Sequence, residues 1–300
     1  MGKNQKNERR GTILGIAAAI LGGICPIYWR QLRDISSIVI LFYRVVLVCA
    51  CTFLLCLAIY KWDGLIKPLR EKGAIGHFLL AGVVMVTNWG LYVWAVNSGH
   101  IVQTSIGYFM VPLFVCLIGM LVYHEPVDRY KIAALITVFA GTIVLVIAYG
   151  EFPTVAFAVS ISYSVYTTAQ KKAHVSGILA MFFQTLFVLP VFLALVIYVE
   201  LTGQGALASA SGQQLFLLSF AGIVTALPLI LLLDGIKCAP LILMGLTNYL
   251  GDTISLLIGV FVYGEELTRL QLGGLLIIWA GIAIYMAGTG KQTDCRKSET

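Results

Sequence analysis

Three hundred residues, 59% apolar and only 11% charged, with a mean hydropathy of +0.93, do not carry enough polar side chains to coat a water-facing surface. Lipid must solvate most of the chain, which excludes soluble enzymes and disulfide-stapled scaffolds. The net charge of +6 then speaks to membrane orientation, and nucleic acid is not an expected partner.

A helix crosses the hydrocarbon core in about 20 residues. Apolar stretches of that order predict an all-α integral membrane protein of ten transmembrane helices, at 11–29, 36–60, 74–96, 101–123, 131–149, 152–170, 178–200, 214–236, 240–263 and 271–289. Residues 1–10 read as a polar cytoplasmic tail, and the first apolar run as an uncleaved helix, since no small-residue cleavage site follows it. The stretch 152–170 is the most polar, with Ser160, Ser162, Ser164, Thr167 and Thr168. Residues 290–300 read as a disordered polar tail, and the seven cysteines, without a CxxC, as small core residues.

Basic residues favour the cytoplasmic side of membrane helices. With the N-terminus inside, 16 of the 20 Lys and Arg residues fall inside, while Arg30, Arg33 and Arg269 fall outside and Arg44 lies within a span. The distribution predicts a multi-pass protein of the cell membrane with both termini cytoplasmic.

A shift of 140 residues makes ten of the 25 positions in 117–141 identical to 257–281, among them Gly119/Gly259, Tyr123/Tyr263, Glu125/Glu265 and Arg129/Arg269. Two copies of five helices are expected, at 11–149 and 152–289. Five is odd, so the second copy enters from the opposite face, giving the inverted-topology repeat on which many secondary transporters are built. The first helix of each copy carries small residues at four-residue spacing, Gly11, Gly15, Ala19, Gly23 and Ala156, Ser160, Ser164, Thr168, a pattern that lets helix backbones approach closely. Glu125 with Arg129, and Glu265 with Arg269, are expected at the starts of the helices that follow them.

The segment Asn88-Trp89, Tyr92, Trp94-Ala95-Val96-Asn97, Gly99-His100, Ser105-Ile106-Gly107-Tyr108-Phe109 and Pro112 resembles the signature of RarD-type permeases, in the EamA branch of the drug/metabolite transporter superfamily. Pro26-Ile27-Tyr28-Trp29, Tyr43-Arg44 and Thr225-Ala226-Leu227-Pro228-Leu229 extend the likeness over essentially the whole chain. The resemblance implies a ten-helix, two-repeat fold with a central cavity, and transport of small metabolites or drugs. Two positions depart from the pattern: Val111 replaces an Asn before Pro112, and Asp252 stands where the ninth helix usually has Pro.

An ionisable group inside hydrocarbon is a functional candidate by default. Arg44 and Asp252 lie about 12 and 16 Å from the outer ends of their spans at 1.5 Å per residue, so they can face each other across a central cavity. Asp234, close to the inner end, is expected to pair with Lys237. Asp252 is the candidate proton-coupling residue or contact for a cationic substrate, with Arg44 or Asn248 as its expected partner. Asn88, Trp89, Tyr108, Thr225, Asn248, Tyr249 and Thr253 are the other mid-span candidates for binding substrate. Pro112 and Pro228 are candidate hinges, because a mid-helix proline frees a carbonyl and bends the helix. Trp279 is expected deep, and Trp29, Trp62 and Trp94 as interfacial anchors.

Gly290-Lys291 is followed by Gln292 and does not make a phosphate-binding loop; HExxH, GxSxG and metal-ligand clusters are absent from the sequence. The expected partners are a small-molecule substrate, lipid and a candidate coupling proton, with a homodimer as a candidate assembly and no cofactor. A polytopic enzyme would need clustered acids, His or a nucleophile near one interface, and a scaffold would need long loops. The repeat favours a secondary transporter working by alternating access, whether exporter or facilitative uptake carrier for amino-acid-like solutes.

Overall fold

Hydrocarbon offers no hydrogen-bond partner, so an apolar run inside it must close its own backbone bonds, and each of these does so as a helix. The structure is a computed structural model that describes residues 3–71, 73–97, 101–149, 154–172, 175–264 and 268–298; the side chains of 3–5, 61–63, 92–97, 101–106, 149 and 289–298 lie outside that description. In chain order the helices are α1 (Lys3–Arg30), α2 (Ser37–Ile66), α3 (Ala74–Asn97), α4 (Ile101–Leu121), α5 (Arg129–Tyr149), α6 (Thr154–Ala169), α7 (Gly177–Leu201), α8 (Ala206–Ser209), α9 (Gly212–Ser219), α10 (Ala221–Cys238), α11 (Leu241–Tyr263) and α12 (Arg269–Ser298). Among the described residues, eight helical stretches are long and apolar enough to cross a membrane, and Gly107–Leu121 of α4 adds a shorter one. α6 is also short, at 16 residues.

Packing between the helices repeats under exchange of the halves. α1 lies against α11 and α10, and its counterpart α6 lies against α4 and α3. α2 meets α7, α4 meets α11 and α5 meets α12, each pair joining equivalent helices of the two halves. The fold is all-α, with two five-helix copies of inverted topology.

Small residues make these contacts close. A Cβ on Gly11 would meet Ala239, one on Gly15 would meet Met244, and one on Gly251 would fall 2.7 Å from the Ala19 carbonyl. In the other half, Gly107 sits against the Ala156 backbone and Ser164 donates to the Val111 carbonyl at 3.2 Å. These contacts place the starts of α1 and α11 at one end of the bundle; Gly288 of α12 against Tyr130 of α5 brings the C-terminal helix to the same end, hereafter the termini end.

The polarity of α6 does not exclude it from lipid, because its hydroxyls are absorbed internally. Ser160, Ser164 and Thr168 donate to carbonyls one turn back at 2.6, 2.7 and 2.6 Å.

One expectation is corrected: the C-terminal tail continues α12 to Ser298 instead of being disordered. The segment 1–10 read as a tail is helical from Lys3. The expected span 214–236 falls within the apolar stretch Gly212–Cys238, which consists of two helices, α9 and α10, separated at Phe220, whose N–H turns back to Leu217 and Leu218. Gly222, next in line, abuts the Leu47 and Val48 backbone, so α10 is set by contact with α2.

Replacing Gly251 by Leu should overfill the α1–α11 contact and cost about 1–3 kcal/mol, seen as a lower thermal unfolding midpoint in detergent. Gly273→Ala, with open space at its Cβ, should leave the midpoint unchanged or raise it.

Candidate functional site

Arg44 lies two turns into α2, and its cation is held by three other helices. Its Nε donates to Thr225 Oγ1 of α10 at 2.9 Å, and its guanidinium carbon lies 4.1 Å from the ring centre of Trp89 in α3 and 5.2 Å from that of Trp29 in α1. Cations over aromatic faces gain roughly 0.5–2 kcal/mol, more when desolvated. Trp29 therefore serves the site and is not merely an interfacial anchor. Beside it, the Cys25 thiol points at the Val224 carbonyl, 3.8 Å away. That is the carbonyl that Pro228, four residues on, leaves without its helical N–H donor.

α11 divides the candidates on its surface. Tyr249 is fully buried with its hydroxyl 3.5 Å from Thr142 of α5, and Thr253 one turn on donates to the Tyr249 carbonyl at 2.6 Å and accepts from Trp279 Nε1 of α12 at 3.1 Å. Both bind α11 to the α5–α12 pair, where their hydroxyls are engaged. Asn248 and Asp252, also one turn apart, occupy another face and are only half-buried. That face lies between the stripe packed on α1 (Gly15 on Met244, Gly251 on Ala19) and Gly245, which packs on Pro112 and Cys116 of α4. Asp252 Oδ2 is buried and has no hydrogen-bond partner. The expected pairing with Arg44 is not made: Asp252 forms no ion pair among the described residues.

Asn88 is buried and bridges helices, its Nδ2 donating to the Val159 carbonyl at 2.9 Å and to Ser162 Oγ at 2.7 Å on α6. It is helix glue and not a free donor at the centre. Tyr108 is 37% exposed. It lies one turn before Pro112 on a stripe between Val111, which faces α6, and Cys116, which faces α11, so its exposure opens into the bundle. Gly22 shares the face of Gly11 and Gly15, yet nothing lies within 4 Å of its Cβ position. With Gly15 beside Gly235 and Cys25 beside Val224, that gap falls near Pro228.

Tyr163 of α6 was not a candidate in the sequence, yet it lies within electrostatic reach of both Asp252 and Arg44. One of two tyrosines in a Ser-rich helix gives no sequence signal for this. The candidate site comprises the Arg44 cluster with Trp29, Trp89 and Thr225, together with Asp252, Asn248, Tyr163 and Tyr108. Tyr92, Trp94, Asn97, Ser105, Ile106 and Trp62 have undescribed side chains, and His100 and Glu265 lie outside the described residues.

Charges at the termini end pair differently from the expectation. Asp234 does meet Lys237, at 3.8 Å, and also accepts from Gly177 N at the start of α7. Glu125, however, does not cap the next helix; Asp128 does, accepting from Tyr130 N and Lys131 N at 2.9 Å each. Glu125 reaches the other half, accepting from Leu241 N at 2.6 Å and Ile242 N at 3.0 Å at the start of α11, and from Lys171 Nζ at 2.9 Å.

The family model of the EamA-like transporter family matches the chain twice, at residues 9–147 and 153–287. The chain belongs to the EamA-like transporter family. It is 32% identical to the uncharacterized transporter YojE of Bacillus subtilis, over 97% of this chain and 98% of that one. It is 30% identical to the protein RarD of Streptomyces exfoliatus, covering 94% and 90%, and 26% identical to the chloramphenicol-sensitive protein RarD of Pseudomonas aeruginosa, covering 96% of both. A crystal structure aligned over 92% of this chain and 96% of its own shares the fold at a TM-score of 0.72 and 16% identity. This EamA-family protein is thus a multi-pass membrane transporter with a small-molecule substrate.

Asn88→Ala should lower stability by about 1–3 kcal/mol, because the Val159 carbonyl and Ser162 lose a buried donor. Tyr249→Phe should cost less than about 1 kcal/mol, since its hydroxyl bond is long. Thermal unfolding of the two variants checks the contrast.

Proposed function

We propose that this protein is a secondary transporter of the cell membrane that carries a small metabolite or drug by alternating access, with Asp252 as the group that binds a proton or a cationic centre of the substrate. Both termini lie in the cytoplasm in this reading, as the distribution of Lys and Arg requires. The observation that carries it is the Asp252 carboxylate: mid-helix, half-buried, with one oxygen enclosed and unpartnered. A carboxylate is not left in that state in hydrocarbon without cost, so a proton or a cation must complete it during the cycle. Arg44, anchored by Thr225 and two tryptophans, keeps the opposite side of the site positive and orients what enters. The inverted copies provide two conformations of similar energy around this centre.

Packing suggests which face is open. From Pro112 and Gly245 to the termini end, α4 and α11 are in contact through Cys116, Gly119 and Leu241. On the other side of that crossing, Tyr108, Asn248 and Asp252 retain exposure. In this reading the α4–α11 contact closes the path at the termini end, and the exposed side of Tyr108, Asn248 and Asp252 is its outer approach.

Reconstituted in liposomes and supplied with candidate amines, amino acids, nucleosides and antibiotics, the protein should transport at least one with a rate that changes with external pH. Asp252→Asn should flatten that pH profile and lower the rate about tenfold or more. An unaltered rate and profile would remove Asp252 from the mechanism.

A further inference from the structure

The termini end is closed by one carboxylate that joins the two halves of the protein. We propose that Glu125 is the latch of the cytoplasmic gate, holding α4 on α11 until the path opens inward; the proposal rests on the alternating-access reading above. Glu125 comes from the first copy, and each of its partners comes from the second. Its side chain is only 9% exposed, and it accepts both free N–H groups of Leu241 and Ile242, which a helix start leaves without internal partners. Lys171, at the end of the α6 segment, completes the cluster by donating to Glu125 Oε1 and to the Ala239 carbonyl, each at 2.9 Å. The carboxylate thus meets an ammonium and the positive end of a helix together, a combination of strong, charge-assisted bonds.

What the latch holds shut lies directly behind it. Leu241 packs on Gly119, and Cys116 Sγ donates to the Ile242 carbonyl at 3.4 Å, one turn before Gly245 meets Pro112. Withdrawing α11 from Glu125 would part this seam. In front of the latch, a cavity of about 510 Å³ bordered by Tyr123, Glu125, Lys171 and Lys237 brings water to the same atoms. Water can therefore take over the released N–H groups and charges once the seam parts, which makes closed and open arrangements comparable in energy.

The opposite end carries part of the same device. Lys171 lies over the Tyr123 ring at 5.9 Å, and Arg30 lies over the ring of Tyr263, the residue matching Tyr123 in the repeat, at 3.9 Å. Among the described residues, the interhalf carboxylate–ammonium pair occurs at the termini end.

The test uses two reporters in the full-length protein. In one, Cys116 is the sole cysteine and a membrane-impermeant maleimide is applied from the cytoplasmic side. In the other, a cysteine-free chain carries Gly22→Cys and is labelled from outside. Glu125→Gln and Lys171→Met should each speed Cys116 labelling about tenfold and slow labelling at position 22 to a similar degree, whereas Arg129→Gln should leave both rates unchanged. Unchanged rates in the latch variants would overturn the proposal. So would a rise at both reporters, the signature of a loosened protein instead of a shifted gate. If these rates shift as expected while Asp252→Asn transports normally, the latch stands and the assigned site fails; the reverse pattern removes the latch alone.

Discussion

Within a bilayer, a polar atom that cannot reach water must be bonded to protein, and this requirement organises the molecule. The hydroxyls of α6 return their hydrogens to their own helix. Asn88 ties α3 to α6, Thr253 joins α11 to α12, and Arg44 is shared by Thr225 and two indoles. Two buried side-chain atoms escape the rule among the described residues, Gln170 Nε2 and Asp252 Oδ2. Gln170 is a neutral amide already bonded to Gln184, which in turn accepts from Tyr166. Asp252 differs in being ionisable, mid-helix and only half-buried, which is why the proposed site is built on it and not on Gln170.

Duplication explains how such a site is served from two faces. The close α1–α11 contact through Gly11, Gly15 and Gly251 has its counterpart in α4–α6 through Gly107 and Ser164. Each first helix therefore grips the fourth helix of the other copy. α4 with α11 forms the seam between these two pairs. Glu125 meets α11 at Leu241 and Ile242, and Asp252 sits about 15 Å further along that helix at 1.5 Å per residue. Gate and site are thus read from one helix.

Much of the fold was legible in the sequence because hydrophobic length and internal identity report directly on spans and repeats. The break at Phe220 was not, because it follows from contact between Gly222 and the α2 backbone, and no proline or glycine marks position 220 itself. The helical C-terminal tail was missed because polarity marks solvent exposure and says little about backbone conformation. The contact of Arg44 with Trp89 and Thr225 joins three residues that depth and polarity single out as candidates. The partners of Tyr249 and Thr253 on α5 and α12 were not legible, because their depth matches that of Asn248 and Asp252 and only rotation about the helix axis separates the two pairs. Glu125 was seen as a local helix cap; its true partners are 116 and 117 residues away, beyond any spacing rule.

Pulsed electron–electron distance measurements in bilayers test the account most directly. One spin-label pair at Val127 and Cys238 would report on the termini end, and another at Gln31 and Val262 on the opposite end. The account predicts two distance populations at each end with complementary weights, so that conditions widening one end narrow the other. A single fixed distance at both ends, or widening of both together, would contradict it.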